Sequence, residues 1–279
     1  MTEPLPRRPG GSVRVRVTER RGEVVTRRED RVVTEEPLEI RIGVEGANPR
    51  RAMITMRTPG HDFELAAGWA IHDGLITASD VRRVAYCTDR ELSPEEQFNV
   101  VTVTVTRMLR TPAQRAAATS ACGVCGSDSI EGVFNTLSDA VARPTTIAAE
   151  VIAHIPDAMR PHQALFDHTG GIHAAALIAT DGQLLLLRED VGRHNAVDKL
   201  TGAQALSRAD YGGEILGTSG RIGFEIVQKA VVSHRTAVVG VGAPTSLAVR
   251  LAREAGLVLA GFTRSNRFVV YAGDERVTA

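Results

Sequence analysis

Thr236-Ala237-Val238-Val239-Gly240-Val241-Gly242, then Ala243, then Pro244-Thr245-Ser246 and on to Ala255, reads as one strand, one turn and one helix from Pro244 to Ala255. The apolar, β-branched run bounded by glycine is that of a buried strand, and Thr245 is placed to cap the helix that follows. Working outward, the same rhythm continues on both sides. Upstream lie a helix from Val191 to Leu206, a strand from Glu214 to Thr218 and a helix from Phe224 to Ser233. Downstream, strands run from Leu257 to Phe262 and from Phe268 to Ala272. Before the alternation, Ile172 to Ala179 and Gln183 to Arg188 flank Asp181-Gly182 as a hairpin, preceded by helices at Ile147 to Ile155 and Pro161 to His168. Strands and helices alternating at this spacing predict an α/β fold, a mixed and partly parallel sheet with helices on both faces.

The first third has a different pattern. Val13, Val15 and Val17, then Leu38, Ile40 and Ile42, then Ala52, Ile54 and Met56 alternate with polar residues as half-buried strands do. Arg57-Thr58-Pro59-Gly60-His61-Asp62 is a turn leading into a helix, Phe63 to His72, that Gly74 terminates. Strands at Val81 to Cys87 and Phe98 to Thr106 follow, with Cys87 a small buried hydrophobe. The organisation expected is an N-terminal extension at 1–30, mobile in part, and a strand-rich subdomain at 31–112. A cysteine-containing loop at 113–130 and an α/β core at 131–279 complete the chain.

The strand ends of the core collect polar turns. They are Glu189 to Asn195, Ser219-Gly220-Arg221-Ile222-Gly223, Gly242 to Ser246, and Gly261-Phe262-Thr263-Arg264-Ser265-Asn266-Arg267. Ligands of open α/β sheets bind at the carboxyl ends of the strands. Three of these turns lead into helix N-termini, whose free N–H groups suit phosphate, and three of the four supply arginine. Capping by Asp190 and Thr245 explains any one turn, but the set together predicts an anionic, multi-phosphate ligand. No Walker A or dinucleotide fingerprint is present. His194 and Asp198, four apart on one helix, form either an acid–base pair or a plain ion pair. His168 and His173 bracket Thr169 to Ile172 as turn residues or metal ligands.

The 279 residues carry equal numbers of basic and acidic side chains, 33 each, with 43% apolar residues. That balance argues against a general binder of nucleic acid or membrane surface. No apolar run approaches a membrane span, and the N-terminus lacks a signal-peptide core. Three cysteines do not make a secreted disulfide scaffold, so the expectation is a cytoplasmic protein with reduced thiols. Two of them form Ser120-Ala121-Cys122-Gly123-Val124-Cys125-Gly126. Such a pair serves as half a zinc site, as a redox couple or as a thiol station carrying sulfur. A structural zinc site wants four ligands and no second C-x-x-C exists, while Gly123 and Gly126 make the loop a mobile arm.

At this point the residues resemble the FdhD family of formate dehydrogenase accessory sulfurtransferases. The resemblance runs from about Glu36 to the C-terminus. It rests on Arg57 to Gly60 with Glu64 to Gly68, Ser120 to Gly126, Thr169 to Ala175, Glu189 to Lys199, Ser219 to Arg221, Ala243 to Ala248, and Gly261 to Arg267. It implies a cytidine-deaminase-like core without the catalytic zinc, and a dimer. It also implies a sulfur carrier that accepts sulfur from a cysteine desulfurase as a Cys122 persulfide, with Cys125 as partner thiol. The acceptor implied is the molybdenum bis(molybdopterin guanine dinucleotide) cofactor, on the way to formate dehydrogenase, with no metal of the carrier's own. The cofactor-binding segment maps to Phe262, Thr263, Arg264, Ser265, Asn266 and Arg267. Ile222-Gly223 and Gly242 stand where the family pattern tends to carry serine. The competing classes are a cofactor-binding chaperone without essential thiols and a zinc-dependent, deaminase-like hydrolase.

Overall fold

The computed structural model describes residues 10–87, 98–111, 145–209 and 212–279. Both cysteines of the C-x-x-C, Cys122 and Cys125, lie outside the described residues. Two main sheets and the helices between them build the molecule, with a short parallel pairing of β7 (Ile147–Ala148) and β14 (Val277–Thr278) beside them. The larger has strand order β13-β12-β11-β10-β8-β9. Its strands are β8 (His173–Ile178), β9 (Leu184–Asp190), β10 (Ile215–Thr218), β11 (Ala237–Gly240), β12 (Val258–Arg264) and β13 (Arg267–Ala272). The central β10, β11 and β12 are parallel, and each flank closes with an antiparallel hairpin. This is the mixed sheet that the alternation predicts.

Helices cover both faces of that sheet. On one side α4 (Arg193–Ser207), α5 (Phe224–Val232) and α6 (Ser246–Glu254) bury Val197, Leu200, Val227 and Leu251 against Leu177, Leu216, Val238 and Leu259. On the other, α2 (Ala149–Met159) sets Ile152, Ile155 and Met159 against Ala176, Ile215, Val239 and Val258. Successive strand residues point to opposite faces, so a sheet buried on both sides must be apolar throughout, as β10 and β11 are.

The smaller sheet has order β4-β3-β6-β5: β3 (Glu36–Val44), β4 (Arg50–Arg57), β5 (Val81–Tyr86) and β6 (Val100–Val105). Helix α1 (Asp62–His72) lies on it, packing Leu65, Ala66 and Trp69 over Leu38, Ile40, Val101 and Val103. The alternation in β3 holds, with Leu38, Ile40 and Ile42 all buried. In β4 it does not. A register shift beside Ile40 turns the strand, so that Thr55 and Arg57 are buried and Met56 is 41% exposed. A bulge exchanges the two faces of a strand, which a period-two reading cannot anticipate.

Before β3 the chain forms a two-stranded ribbon, β1 (Ser12–Arg21) with β2 (Val24–Val33). The expected strand of Val13, Val15 and Val17 is there, but Val13 is 48% exposed. Strand β2 escapes a hydrophobic-pattern search because Thr26 to Arg31 carries no apolar side chain.

The two halves meet where α1 crosses α4. A Cβ added at Gly68 would lie 1.8 Å from the Asp198 carbonyl oxygen, and one at Gly202 would lie 1.7 Å from that of Glu64. The helix backbones are therefore in direct contact. Around this crossing sits a buried polar seam. Arg57 bonds both carboxylate oxygens of Asp62, at 3.1 and 3.2 Å, and Tyr86 donates to Asp62 at 2.8 Å. Arg188 forms a two-point pair with Glu64 at 2.6 and 2.8 Å. Burial would raise the Glu64 pKa, but Arg188 and His61 overcome it and hold it at about 2.

Further along, His72 on α1 is buried with Nδ1 2.6 Å from Asp198 and Nε2 3.4 Å from Ser233. Burial pushes its pKa down to about 4, Asp198 opposing this while Lys229 and Arg235 add to it. The unfolded chain therefore binds a proton near pH 6.5 that the folded chain refuses until about pH 4. Between these values stability falls as pH falls, by up to about 1.4 kcal/mol per pH unit for this group. His173, whose pKa burial and nearby cations also lower, acts in the same direction. Urea midpoints are expected to drop from pH 7 to pH 5, and His72→Gln to flatten most of that slope. An unchanged slope in the variant would remove His72 from the account.

Candidate functional site

The carboxyl ends of the parallel strands form one edge. Because β8 and β9 run in alternate directions, His173 at the start of β8 sits opposite Asp190 at the end of β9 on this same edge. The turns after β10 and β11 are laced together. Ile222 N–H donates to the Ala243 carbonyl and Thr245 N–H to the Ile222 carbonyl, both at 3.0 Å. Gly242 is tight against the neighbouring turn, since a Cβ there would lie 2.8 Å from the Gly220 carbonyl oxygen and 2.9 Å from the Arg221 Cα. Ile222 is fully buried. Gly242 therefore has no room for a serine side chain, whereas nothing lies within 4 Å of a Cβ built at Gly223, so packing accounts for the first of these departures from serine and for Ile222 but not for Gly223.

The Asp190 carboxylate is a structural hub. It accepts from Thr58 N–H, Gly192 N–H and Asn195 Nδ2 at 3.2, 2.8 and 3.0 Å, and lies 2.6 Å from Lys199 Nζ. Glu189 caps α3 (Ala164–Thr169), accepting from the backbone N–H groups of Leu165 and Phe166 at 2.9 Å each. Much of the motif Glu189 to Lys199 is thus internal architecture. The pairing of His194 with Asp198 is not present. His194 Nε2 lies 3.0 Å from Glu225, and Asp198 is taken up by His72 and Lys229. Four residues along a helix brings two side chains to one face, but tertiary partners from α1 and α5 decide what each touches.

Free capacity remains at the helix starts. Thr245 caps α6 by accepting from Ala248 N–H at 3.4 Å, as its position suggests. Helices α4 and α5 begin at Gly192 and Gly223, which provide no side-chain cap. Their first N–H groups therefore face the edge with helix-dipole charge uncompensated from that source. Arg193 opens α4 with a buried Nε that has no hydrogen-bond partner among the described residues, and Arg221 is exposed beside it on the edge. His173 sits here too. Burial first, then Arg193, His194 and Arg221, lowers its pKa and favours the neutral imidazole. A cavity of about 440 Å³ opens alongside, between Arg160, Phe166, Gly170, His173, Val191 and Ser219.

The segment Phe262 to Arg267 is the tip of the β12–β13 hairpin, not a free turn after a strand that stops at Phe262. Ser265 and Asn266, with φ of 49° and 61°, form the two-residue turn, and Arg264 pairs in register with Arg267. Left-handed values at both central positions are those of the tight hairpin turn that matches strand twist. Phe262 has φ 53° at a register shift, which splays its ring outward to 41% exposure. The Thr263 hydroxyl is buried without a hydrogen-bond partner among the described residues. Arg264 and Arg267 are both exposed and face each other across the strands. Opposed like charges destabilise a strand pair, so these arginines add nothing to the hairpin's own stability.

His168 and His173 belong to no metal-ligand cluster among the described residues. The His168 Nδ1 contacts the Ala164 carbonyl at 2.5 Å within its own helix. Among the described residues no group of three or more His, Cys, Asp or Glu is placed to hold a metal ion. Cys87 is half-buried, its Sγ 3.7 Å from an Arg41 guanidinium nitrogen. No helix among the described residues is long and apolar enough to cross a membrane.

Fold and edge together define a mixed α/β protein with a cationic, helix-start-lined strand edge. The chain belongs to the FdhD/NarQ family, whose profile it matches over residues 33–278. It is similar to the sulfur carrier protein FdhD of Streptomyces coelicolor, 44% identical over 277 residues covering 94% of this chain and 96% of that one. It is also similar to that of Sulfurisphaera tokodaii, 40% identical over 269 residues covering 95% and 98%. Among solved structures it resembles a chain from Desulfotalea psychrophila described as a formate dehydrogenase accessory protein. That match has a TM-score of 0.76 at 21% identity, covering 96% of this chain and 100% of the other, and it supports the fold.

Proposed function

We propose that this protein is a sulfur carrier. It accepts sulfur from a cysteine desulfurase on Cys122 and delivers it to a molybdenum bis(molybdopterin guanine dinucleotide) cofactor needed by formate dehydrogenase. The observation that carries this reading is the near full-length similarity to proteins named as sulfur carriers. The strand edge supports it. Each guanine dinucleotide arm has a pyrophosphate, and uncapped helix starts with unpaired arginines suit such groups. The Arg193 Nε and Thr263 hydroxyl, buried and without a partner among the described residues, are further hydrogen-bonding capacity for a ligand.

The chemistry is thiol–persulfide exchange. The Cys122 thiolate attacks the outer sulfur of the desulfurase persulfide, forming a new S–S bond as the desulfurase leaves as thiolate. Release takes one of two balanced courses. Either a nucleophilic acceptor attacks the outer sulfur, supplying both electrons of its new bond to sulfur as the S–S bond breaks and Cys122 leaves as thiolate, or the Cys125 thiolate attacks the inner sulfur, expelling hydrosulfide and leaving a Cys122–Cys125 disulfide. The edge contributes binding, holding the acceptor by its phosphates. No resident metal enters either course.

The test is mass analysis of the Cys122 peptide after incubation with a cysteine desulfurase and cysteine. One added sulfur atom, removable by dithiothreitol and absent from Cys122→Ala, is expected. An unmodified Cys122 peptide alongside a turning-over desulfurase would sink the proposal. Retention of formate dehydrogenase activation by Cys122→Ala would favour a chaperone that does not use its thiols.

A further inference from the structure

The ribbon β1–β2 is a third feature of this molecule, apart from the edge and the thiols. Directly opposed residues of an antiparallel pair point to the same side, so the register sorts the ribbon into two faces. One face carries Val13, Val15, Val17 and Val32, and its charges are internally matched. Glu19 receives Arg21 and Arg28 at 2.8 and 2.9 Å, and Arg28 also meets Asp30 at 3.1 Å. Those partners hold the Glu19 and Asp30 carboxyls below their ordinary range.

The other face carries Arg14, Arg16, Arg20, Arg27 and Arg31, all exposed, against the single carboxylate of Glu29. Glu29 reaches only Arg14, at 3.7 Å, and the other four arginines have no ion pair among the described residues. Arg14 stands directly opposite Arg31. Like charges in that position destabilise a strand pair, and a lone two-stranded ribbon has little stability to spare. Successive arginines on one strand, Arg14 and Arg16, are spaced by about 7 Å, the period of every second residue in an extended chain. Both outer edges of the ribbon lack a strand partner among the described residues, leaving backbone donors and acceptors in line with that spacing.

We infer that this ribbon docks an acidic, extended segment of a partner protein, which adds as a strand and sets its carboxylates against the arginine face. Strand addition supplies main-chain hydrogen bonds, and alternate side chains supply selectivity. Exposed valines argue for a protein partner over a nucleic acid: Val24 and Val25 near the tip are 65% and 50% exposed and offer apolar contact that phosphate does not use. The balanced net charge of the chain argues the same way, since it gives no long-range attraction to a polyanion. The root of the ribbon lies against α3, where Gly11 approaches Leu165 and Val33 approaches Gly171. Gly170 and Gly171 also line the cavity beside His173, so a docked partner stands next to the strand edge.

Fluorescence anisotropy tests this with a labelled peptide of alternating Glu and Val, the same peptide with Lys for Glu, and duplex DNA of matched charge. The intact protein is expected to bind the Glu peptide saturably, more tightly at low salt, and not the Lys peptide. Arg14→Gln with Arg31→Gln is expected to weaken binding at least tenfold while the thermal midpoint holds or rises, because the opposed charges are gone. Absence of saturable binding, equal binding by the double variant, or tighter binding of the duplex overturns the inference. The assay needs neither Cys122 nor a cofactor, so its failure leaves the sulfur-carrier reading untouched.

Discussion

Gly202→Ala is expected to destabilise the protein by more than about 3 kcal/mol, at the upper end of what overpacking a core costs. Helix propensity alone predicts the opposite sign, since alanine is favoured over glycine inside a helix by about 1 kcal/mol. The crossing decides it. The new Cβ would sit 1.7 Å from the Glu64 carbonyl oxygen, which is backbone and cannot rotate away. Relief requires α1 and α4 to separate, and that pulls apart the seam between the halves. Thr58 would lose Asp190, and His72 would lose Asp198, both buried contacts. Breaking such contacts leaves buried polar groups short of a hydrogen bond each. A fall in thermal midpoint of about 10 °C is expected for a chain of this size. Gly223→Ala is the control, since nothing lies within 4 Å of its would-be Cβ, and it should change stability by less than about 1 kcal/mol. Equal midpoints for Gly202→Ala and the control would show that the helices are not in backbone contact.

Arg264→Ala with Arg267→Ala is expected to weaken binding of GDP, used as a probe of the guanine nucleotide arm, by about a hundredfold. Hydrogen bonds to charged groups contribute about 1.5–3 kcal/mol each, so two guanidinium contacts to phosphate reach that scale. Both side chains are exposed at a hairpin tip, in register with each other, and neither has an ion pair among the described residues. Their removal should therefore leave the thermal midpoint unchanged or slightly higher. Calorimetric titration with GDP and a parallel melting curve separate the two effects. Unchanged affinity would move the nucleotide contact away from this tip and towards Arg193 and the α4 start. Loss of binding together with a lower midpoint would count against a ligand-facing role.

Much of the core was legible because local signals agreed there. The strand–turn–helix unit at Thr236 to Ala255 shows an apolar run, a glycine-bounded turn and a capping threonine, and each proved structural in the place expected. The cationic strand ends could be read for the same reason, since strand ends follow from element order. The pairing of His194 could not. Its helix offers Asp198 at the right spacing, but Glu225 from α5 reaches it, thirty-one positions along the chain. The hairpin tip was half legible: the Arg264 to Arg267 segment stood out by composition, but its two-residue turn depends on left-handed Ser265 and Asn266, residues that tolerate many other conformations. Strand β2 was missed because its charged middle has no period, and it is held by cross-strand pairing with β1 instead of by burial.

Periodicity and turn chemistry are short-range, and by themselves they determined the order of elements in the α/β core and its mixed sheet. Which polar residues serve the fold and which are left for a ligand was decided only by tertiary structure. Asp190 looked like part of the edge, yet it is consumed by Thr58 from 132 residues away and by Lys199 beneath it. Arg193, three residues on, keeps a buried nitrogen unpartnered among the described residues. A carboxylate or guanidinium looks the same in the chain whether or not a distant segment will satisfy it. Only the packing of α1 on α4, backbone against backbone at Gly68 and Gly202, brings those segments together and so separates scaffold from site.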